Sequence, residues 1–533
     1  MKKLLAITLS LVLFLLSGCG GGNSGNTGGG QDGASGGGTA EPASGGTAVL
    51  QTYGDVMSFC PDLTADDNFY LAAQNIYNRL AKLDAGCNVI PDLAESWEYS
   101  DDGLSLTFHL KENAKWHDGE PVTAGDVKYT FEYIKEHNTC SLCETMSIVD
   151  SIEAVDDHTA VFHMNTVDMS FVASLSWYAC FIMPQHVYDN GQDWSENDAA
   201  KNHPIGSGPF KFVEYRQSEG MTLEANPDYH DGAPSLDRLF ISIVPDDTTA
   251  MQSLINGELD WTAVTPANMV SEVENNANIR LSLNALPSPF RIVFNLENEQ
   301  VGDLAVRQAI ARCIDRKDIS EKTQNGIMPA EYSALPSMSW ASNTTDVYPE
   351  CNLEEAEKIL QDAGYTKDAD GYYVRGLTID AFDLAGYPDA AKLIAANCEK
   401  IGIELTVQVY EYNAWSQKVE NDRDFVIEIQ GGMIGPDPAA LQWRLRTGDW
   451  SNVGGYSNAR VDELLALGAA EIDQEKRGDY YREIQKIVVE ELPYICIMDY
   501  AVYEGSNAAL QNIPMDGAGQ WGWAEWSKAQ FAN

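Results

Sequence analysis

For a chain of 533 residues, few side chains are spaced for metal or covalent chemistry. Cys140-Ser141-Leu142-Cys143, with His137 three residues upstream, has the thiol spacing of a metal knuckle or a redox pair. No second such pair and no paired histidines complete four ligands, so a loop disulfide or free thiols accounts for it as simply. Lys367-Asp-Ala-Asp-Gly371 begins like a calcium loop, but the later acidic ligand is missing, and a hairpin turn before Tyr372-Tyr373-Val374 is expected. Gly206-Ser207-Gly208-Pro209 looks like a nucleophile elbow until Ile205 is found where the first glycine belongs; it predicts a tight turn feeding a strand from Phe210. There is no phosphate loop, no HExxH zinc helix and no complete elbow. Among 80 acidic residues carboxylate pairs arise by chance, and none stands out as a hydrolytic pair. The chain therefore predicts no catalytic residue, no resident metal and no cofactor.

The elements that would carry a site mix strands and helices. Leu104 to Leu110 and Phe210 to Tyr215 alternate with period two and predict half-buried strands. Asp126 to Lys135 predicts a helix burying Val127, Phe131 and Ile134. Asn352 to Gly364 carries a cap at Asn352, Glu355 at the capping-box position, a stripe of Leu353, Ala356, Ile359, Leu360 and Ala363, and a closing glycine. Tyr480 to Val489 predicts another amphipathic helix. The body is thus α/β or α+β.

Composition bounds the class further. The chain is 44% hydrophobic and 10% aromatic, enough for a large globular body of more than one lobe. A net charge of −46 argues against nucleic acid, whose affinity rests on cationic phosphate contacts. At the start, Lys2 and Lys3 precede an apolar run from Leu4 to Leu16 that ends in Leu16-Ser17-Gly18-Cys19, a secretory leader too short for an ordinary membrane span. That ending resembles the lipobox of bacterial lipoproteins. The resemblance implies cleavage after residue 18, a diacylglyceryl group on the Cys19 thiol and a chain anchored outside the cytoplasm by lipid; each buried methylene adds about 0.8 kcal/mol. Gly20 to Gly46, nearly all small and polar, predicts a flexible leash. Nine cysteines remain after Cys19, and their pairing cannot be read from the sequence.

A series of segments along the body resembles the family 5 extracellular solute-binding proteins, the receptors of dipeptide, oligopeptide and nickel ABC importers. They are Pro91-Asp-Leu-Ala-Glu-Ser-Trp97, Asp101 to Leu110, and Trp116-His-Asp-Gly-Glu-Pro-Val-Thr-Ala-Gly-Asp-Val127. Next come Ile205 to Tyr215, Asn226 to Tyr229, Ile243 to Asp246, Gly257 to Asp260, and Asp303 to Ile310 with Ile314-Asp-Arg316. Pro436-Asp-Pro438, Tyr456-Ser-Asn458 and Val461 to Leu464 complete the series. Most of these read as scaffold: Thr123 caps a helix, Asp246 enters one, and Trp116 packs a core. The resemblance implies an α/β, two-lobed periplasmic-binding-protein-like fold of class II type with an inserted subdomain. By analogy lobe I comprises 47–80, 203–287 and 499–533, the insert 81–202 and lobe II 288–498. It also implies hinge closure on a solute and delivery to permease subunits served by ATPases, the receptor being a monomer.

The solute class is less directly written. Peptide-binding relatives hold the free amine with an Asp four residues before the Pro of an Asp-Pro pair. Here that position is Ile434, in Gly431-Gly-Met433-Ile434-Gly-Pro-Asp437-Pro438, and Ala385 to Asp389 offers no Arg for a carboxylate. Zwitterionic dipeptides are therefore disfavoured and oligopeptides held along their backbone expected. Candidate ligand residues are Tyr53, Trp415, Met433, Ile434, Asp437, Trp443, Arg444, Trp450, Trp521 and Trp523. Asp437 either reaches an amine or caps the helix from Ala439; Arg444 suits an anionic group, and the tryptophans suit rings. The alternatives are an oligosaccharide, nickel, an extracellular carboxylate-based hydrolase, and an adhesin or signalling receptor.

Overall fold

The computed structural model describes residues 45–63, 66–84, 88–137, 143–176, 180–384, 386–432, 434–514 and 525–532. Its spine is a ten-stranded mixed sheet. In one half, Thr47–Thr52 runs parallel to Arg238–Ile243, which pairs antiparallel with Gly220–Ala225, and that in turn with Phe210–Arg216. In the other half, Val374–Phe382 lies parallel between Ile403–Tyr410 and Ile427–Gln430. Each half has its own apolar core: one draws on Leu50, Phe69, Leu239 and Ile241, the other on Ile292, Ile379, Ile427 and Ile484.

Two long strands, Ile279–Phe294 and Tyr494–Asn507, cross between the halves, paired antiparallel from Ile279 opposite Asn507 to Val293 opposite Tyr494. At the second-lobe end Phe290, Ile292, Ile495 and Ile497 are buried, with Arg291 a buried charge among them. Nearer the middle the buried residues Asn284, Asp499 and Glu504 are polar. The pairing also slips between Ala285 and Pro289. A broken ladder flanked by two packed cores is a natural place to bend.

The expected strand at Leu104 to Leu110 is found at Ser105–Leu110, inside a separate four-stranded sheet with Ala94–Tyr99, Thr159–Met164 and Val149–Asp156. Leu106, Phe108 and Leu110 bury their alternate face, where Phe108 meets Phe162 edge-on. The helix Ala124–His137 covers it with Val127, Phe131 and Ile134, and the Thr123 amide and hydroxyl donate to Asp126. Trp116 is core. The Phe210 strand lies at an edge of the large sheet, so only Phe210 is fully buried. The turn before it needs its glycines: a Cβ on Gly206 would sit 1.9 Å from the Ile76 carbonyl oxygen.

Helix punctuation follows the sequence. Asn352 Oδ1 accepts from the Glu355 amide at the head of Leu353–Asp362, and Gly364 has φ +90°. The expected stripe is too broad, however: Ala356 and Leu360 are buried, but Ala363 is exposed because the helix stops at Asp362 on the lobe surface. The Tyr480 helix begins earlier, at Gln474, and runs to Glu491 with Tyr481, Ile484 and Val488 inward.

Candidate functional site

The strand Ile427–Gln430 pairs on one side with the crossing strand and on the other with Val374–Phe382. It ends in the glycine-rich loop that the sequence singles out. A Cβ on Gly431 would lie 2.4 Å from Tyr387 Oη, and Gly432 has φ +140°, so this backbone approaches its neighbours as only glycine allows. The loop is tied to the slip in the crossing strand: the Gly432 amide donates to Ser288 Oγ at 3.2 Å, and the Ile434 amide to the Pro287 carbonyl at 2.7 Å. Arg444 Nη2 donates to the Gly432 carbonyl at 3.2 Å. The candidate Arg444 therefore shapes the loop.

Asp437 caps the 3-10 helix Pro438–Leu441 by accepting from the Ala439 amide at 2.9 Å, one of the two roles expected of it. It also pairs with Arg477, Nη2 to Oδ1 at 2.8 Å, and Arg477 Nε donates to the Gly468 carbonyl. Burial raises the Asp437 carboxyl against the opposing pull of Arg477.

This pair lines a chamber of about 700 Å³ between the inserted sheet and the second lobe. Trp97 and Tyr99 stand on one wall, Trp340, Pro436, Asp437 and Arg477 on the other. The walls touch beside it, where the Met169 amide donates to the Ala469 carbonyl at 2.8 Å. The size suits a mid-sized ligand, and aromatic walls with one ion pair suit an amphiphilic one.

Of the other expected residues, Ile434 is 2% exposed, so its side chain packs inside the second lobe and puts no charge at the loop. Trp415, 1% exposed, belongs to an aromatic core with Phe382. Tyr53 is half-buried against the first core, where hydrogen bonds from it and Gln51 oppose the upward push of burial on Asp247. Trp443 and Trp450 are exposed and line neither this chamber nor the smaller cavity behind the loop. Met433, Trp521, Trp523 and Cys19 lie outside the described residues. Trp97, Tyr99, Trp340 and Arg477 were not expected. Trp97 and Tyr99 do share a strand face at i, i+2, a signal the sequence carries.

Among the described residues no three His, Cys, Asp or Glu side chains cluster to hold a metal ion, and no helix is long and apolar enough to cross a membrane. Lys367 to Gly371 forms a turn but not a hairpin: it joins the helix Leu353–Asp362 to the strand Val374–Phe382, with Asp368 and Asp370 bound to Arg375. His137 stacks on Tyr133; Cys140 and the Cys143 side chain lie outside the described residues.

Two packed cores, one sheet crossed by a slipped strand pair, and an aromatic chamber under an inserted subdomain together define a two-lobed solute-binding protein. The chain belongs to the bacterial extracellular solute-binding proteins, family 5, whose middle-region model matches residues 88–452. It is 29% identical over 472 residues to heme-binding protein A of Haemophilus influenzae, covering 82% of this chain and 84% of that one. Over 507 residues it is 28% identical to the oligopeptide-binding protein AppA of Bacillus subtilis, covering 92% of each. The structure of that AppA with a nonapeptide matches with TM-score 0.73 at 26% identity, covering 92% of this chain and 100% of that one. The ABC transporter substrate-binding protein CtaP of Listeria monocytogenes matches with TM-score 0.82 at 25% identity, again covering 92% and 100%. Members of this family act outside the cytoplasm.

Proposed function

We propose that this protein is the solute receptor of an ABC importer, that it takes up oligopeptides, and that lipid on Cys19 holds it at the membrane. Its partners would be the permease subunits and their ATPases, and it would bind as a monomer without chemical change to the solute. The observation that carries the peptide reading is the chamber of about 700 Å³, with aromatic walls on both sides, the Asp437–Arg477 pair on the second lobe, and Glu98 and Asp101 on the inserted sheet. Such a chamber offers room and apolar contact to varied side chains, while Asp437, the acid of the second-lobe wall, is already paired. Ile434 puts no carboxylate at the loop. Backbone pairing along the glycine-rich loop would then supply affinity on the second-lobe side.

Closure follows from the same layout. A solute touching Trp97 and Trp340 together is fully held only when the two walls approach, so it favours the closed form by that difference in contact. The slip between Ala285 and Pro289 would be the bending point. We place lobe I at 47–80, 203–287 and 499–533, the insert at 81–202 and lobe II at 288–498; the separate core of Ile292, Ile379 and Ile484 supports lobe II as its own body, while the first core runs through lobe I and the insert together.

Native mass spectrometry of the body from Thr47, as purified, tests the solute class. One intact peptide per protein is expected, released unchanged on denaturation. A sugar, a heme or a nickel chelate at one per protein would keep the receptor and replace the peptide; cleaved fragments would point to a hydrolase. Radiolabelled palmitate incorporated by the wild type and lost in Cys19→Ser would support the anchor.

A further inference from the structure

Behind the Gly431–Gly432 turn lies a second, small cavity of about 30 Å³, room for one water-sized particle. Arg291, Gln430, Arg444, Asn452 and Tyr494 are among its lining residues. No Asp or Glu lines it among the described residues, in a chain where acids outnumber bases 80 to 34. Arg291 reaches it from the crossing strand and is only 5% exposed, yet its Nε and Nη1 have no hydrogen-bond partner and no carboxylate within ion-pair distance among the described residues. Buried guanidinium donors left without an acceptor are costly, because they lose water and gain nothing in return. Arg444, the second wall, reaches past the cavity to the Gly432 carbonyl.

The neighbouring Glu428 does not balance these charges. Glu428, on the neighbouring strand, accepts from Gln430, and burial pushes its carboxyl up to about 8. At neutral pH it is largely protonated. Burial first, and then the like charge of Arg291, bring Arg444 down to about 9.

We propose that this cavity binds one small monovalent anion between Arg291 and Arg444, its chemistry that of a halide or of a carboxylate group. The anion would accept from the unpaired Arg291 donors and steady Arg444 where it holds the Gly432 carbonyl, fixing the loop from behind. A halide could come from solution and a carboxylate from the solute. The inference stands apart from the peptide reading, since it concerns this lobe whatever the chamber holds.

The test compares melting of the full body in sodium chloride, sodium bromide and sodium gluconate at equal ionic strength. The wild type should melt several degrees higher in the halides, and Arg291→Met should lose that difference. Should Arg291→Met fail to fold, wild-type crystals grown in bromide should show an anomalous peak against the Arg291 guanidinium. Affinities for one peptide as free acid and as amide separate the sources. A free-acid preference of tenfold or more, lost when chloride is added, assigns the anion to the solute; equal affinities with a halide effect assign it to solution. Melting indifferent to the anion, with no bromide peak and no free-acid preference, overturns the proposal.

Discussion

Asp437 has two tasks, a helix cap and a partner for Arg477, and substitution can separate them. Asparagine caps a helix about as well as aspartate, but it leaves the Arg477 guanidinium, 7% exposed, without its counter-charge. Removing one partner of a buried ion pair costs about 3–5 kcal/mol. Asp437→Asn should therefore lower stability towards urea by that order, whereas Asp246→Asn, at an exposed cap without an ion pair, should change it by less than about 1 kcal/mol. Equal losses in the two would mean the Arg477 pair contributes nothing. Trp97 tests the chamber. It is half-buried and also packs against the first core, its ring 6.4 Å from that of the buried Phe108. Trp97→Ala should weaken peptide binding tenfold or more in calorimetry, about 1.4 kcal/mol, and Trp97→Phe, which keeps a ring against Phe108, should lose less of both affinity and melting temperature. An unaltered affinity would remove the chamber from the binding site.

At the scale of elements, the important join is between the glycine-rich loop and the slipped crossing strand. The Gly432 amide on Ser288 Oγ and the Ile434 amide on the Pro287 carbonyl make the loop and the bending point one mechanical unit. Ser288→Ala removes one of these bonds, worth about 1 kcal/mol, and should weaken solute binding several-fold with the chamber walls untouched. Stopped-flow fluorescence should show the loss mainly as faster release, since the bound loop is less well held; a slower association alone would contradict this. Local punctuation made the helices legible. Asn352, Asp246 and Gly364 act within a turn of themselves, so their types suffice. The strand at Leu104 to Leu110 was legible because its alternation survives in a sheet with one covered face. The crossing was not. It pairs segments remote in the chain, and its middle carries buried polar residues that read as surface. The site was legible only in part for the same reason. Asp437 announced itself beside a proline, but its partner Arg477 sits in a helix as polar as any exposed one, and Trp340 lies in an irregular segment. Ile434 and Trp415 went the other way: apolar side chains near a loop were drawn into the second core, where burial gains more than a solute contact would.

For the whole molecule, buried titrating groups set how stability responds to pH. Burial pushes the Glu428 carboxyl up to about 8 and that of Asp62 up to about 7, and it raises Asp499 further with the help of the neighbouring Glu331 carboxylate. In the unfolded chain such groups titrate near 4. Between about pH 4 and 8 the folded protein therefore holds protons that the unfolded chain has released, and stability falls as pH rises through that window. His117 works in the opposite sense. Burial between the Gly206 turn and Gly208 brings it down to about 4, against about 6.5 when unfolded, so stability falls as pH drops below 6.5. The two effects oppose each other below pH 6.5, and above it the carboxyls act unopposed by His117. Surface carboxylates are already ionised there, so the net charge of −46 adds little to the slope. The melting temperature should thus decline steadily from pH 6.5 to 8.5. Glu428→Gln, which keeps the neutral shape of the protonated acid and an acceptor for Gln430, should flatten part of that decline and raise the melting temperature most at pH 8.5. A profile level across this range, or one whose slope Glu428→Gln leaves unchanged, would show that these carboxyls ionise in place with water or a bound cation beside them.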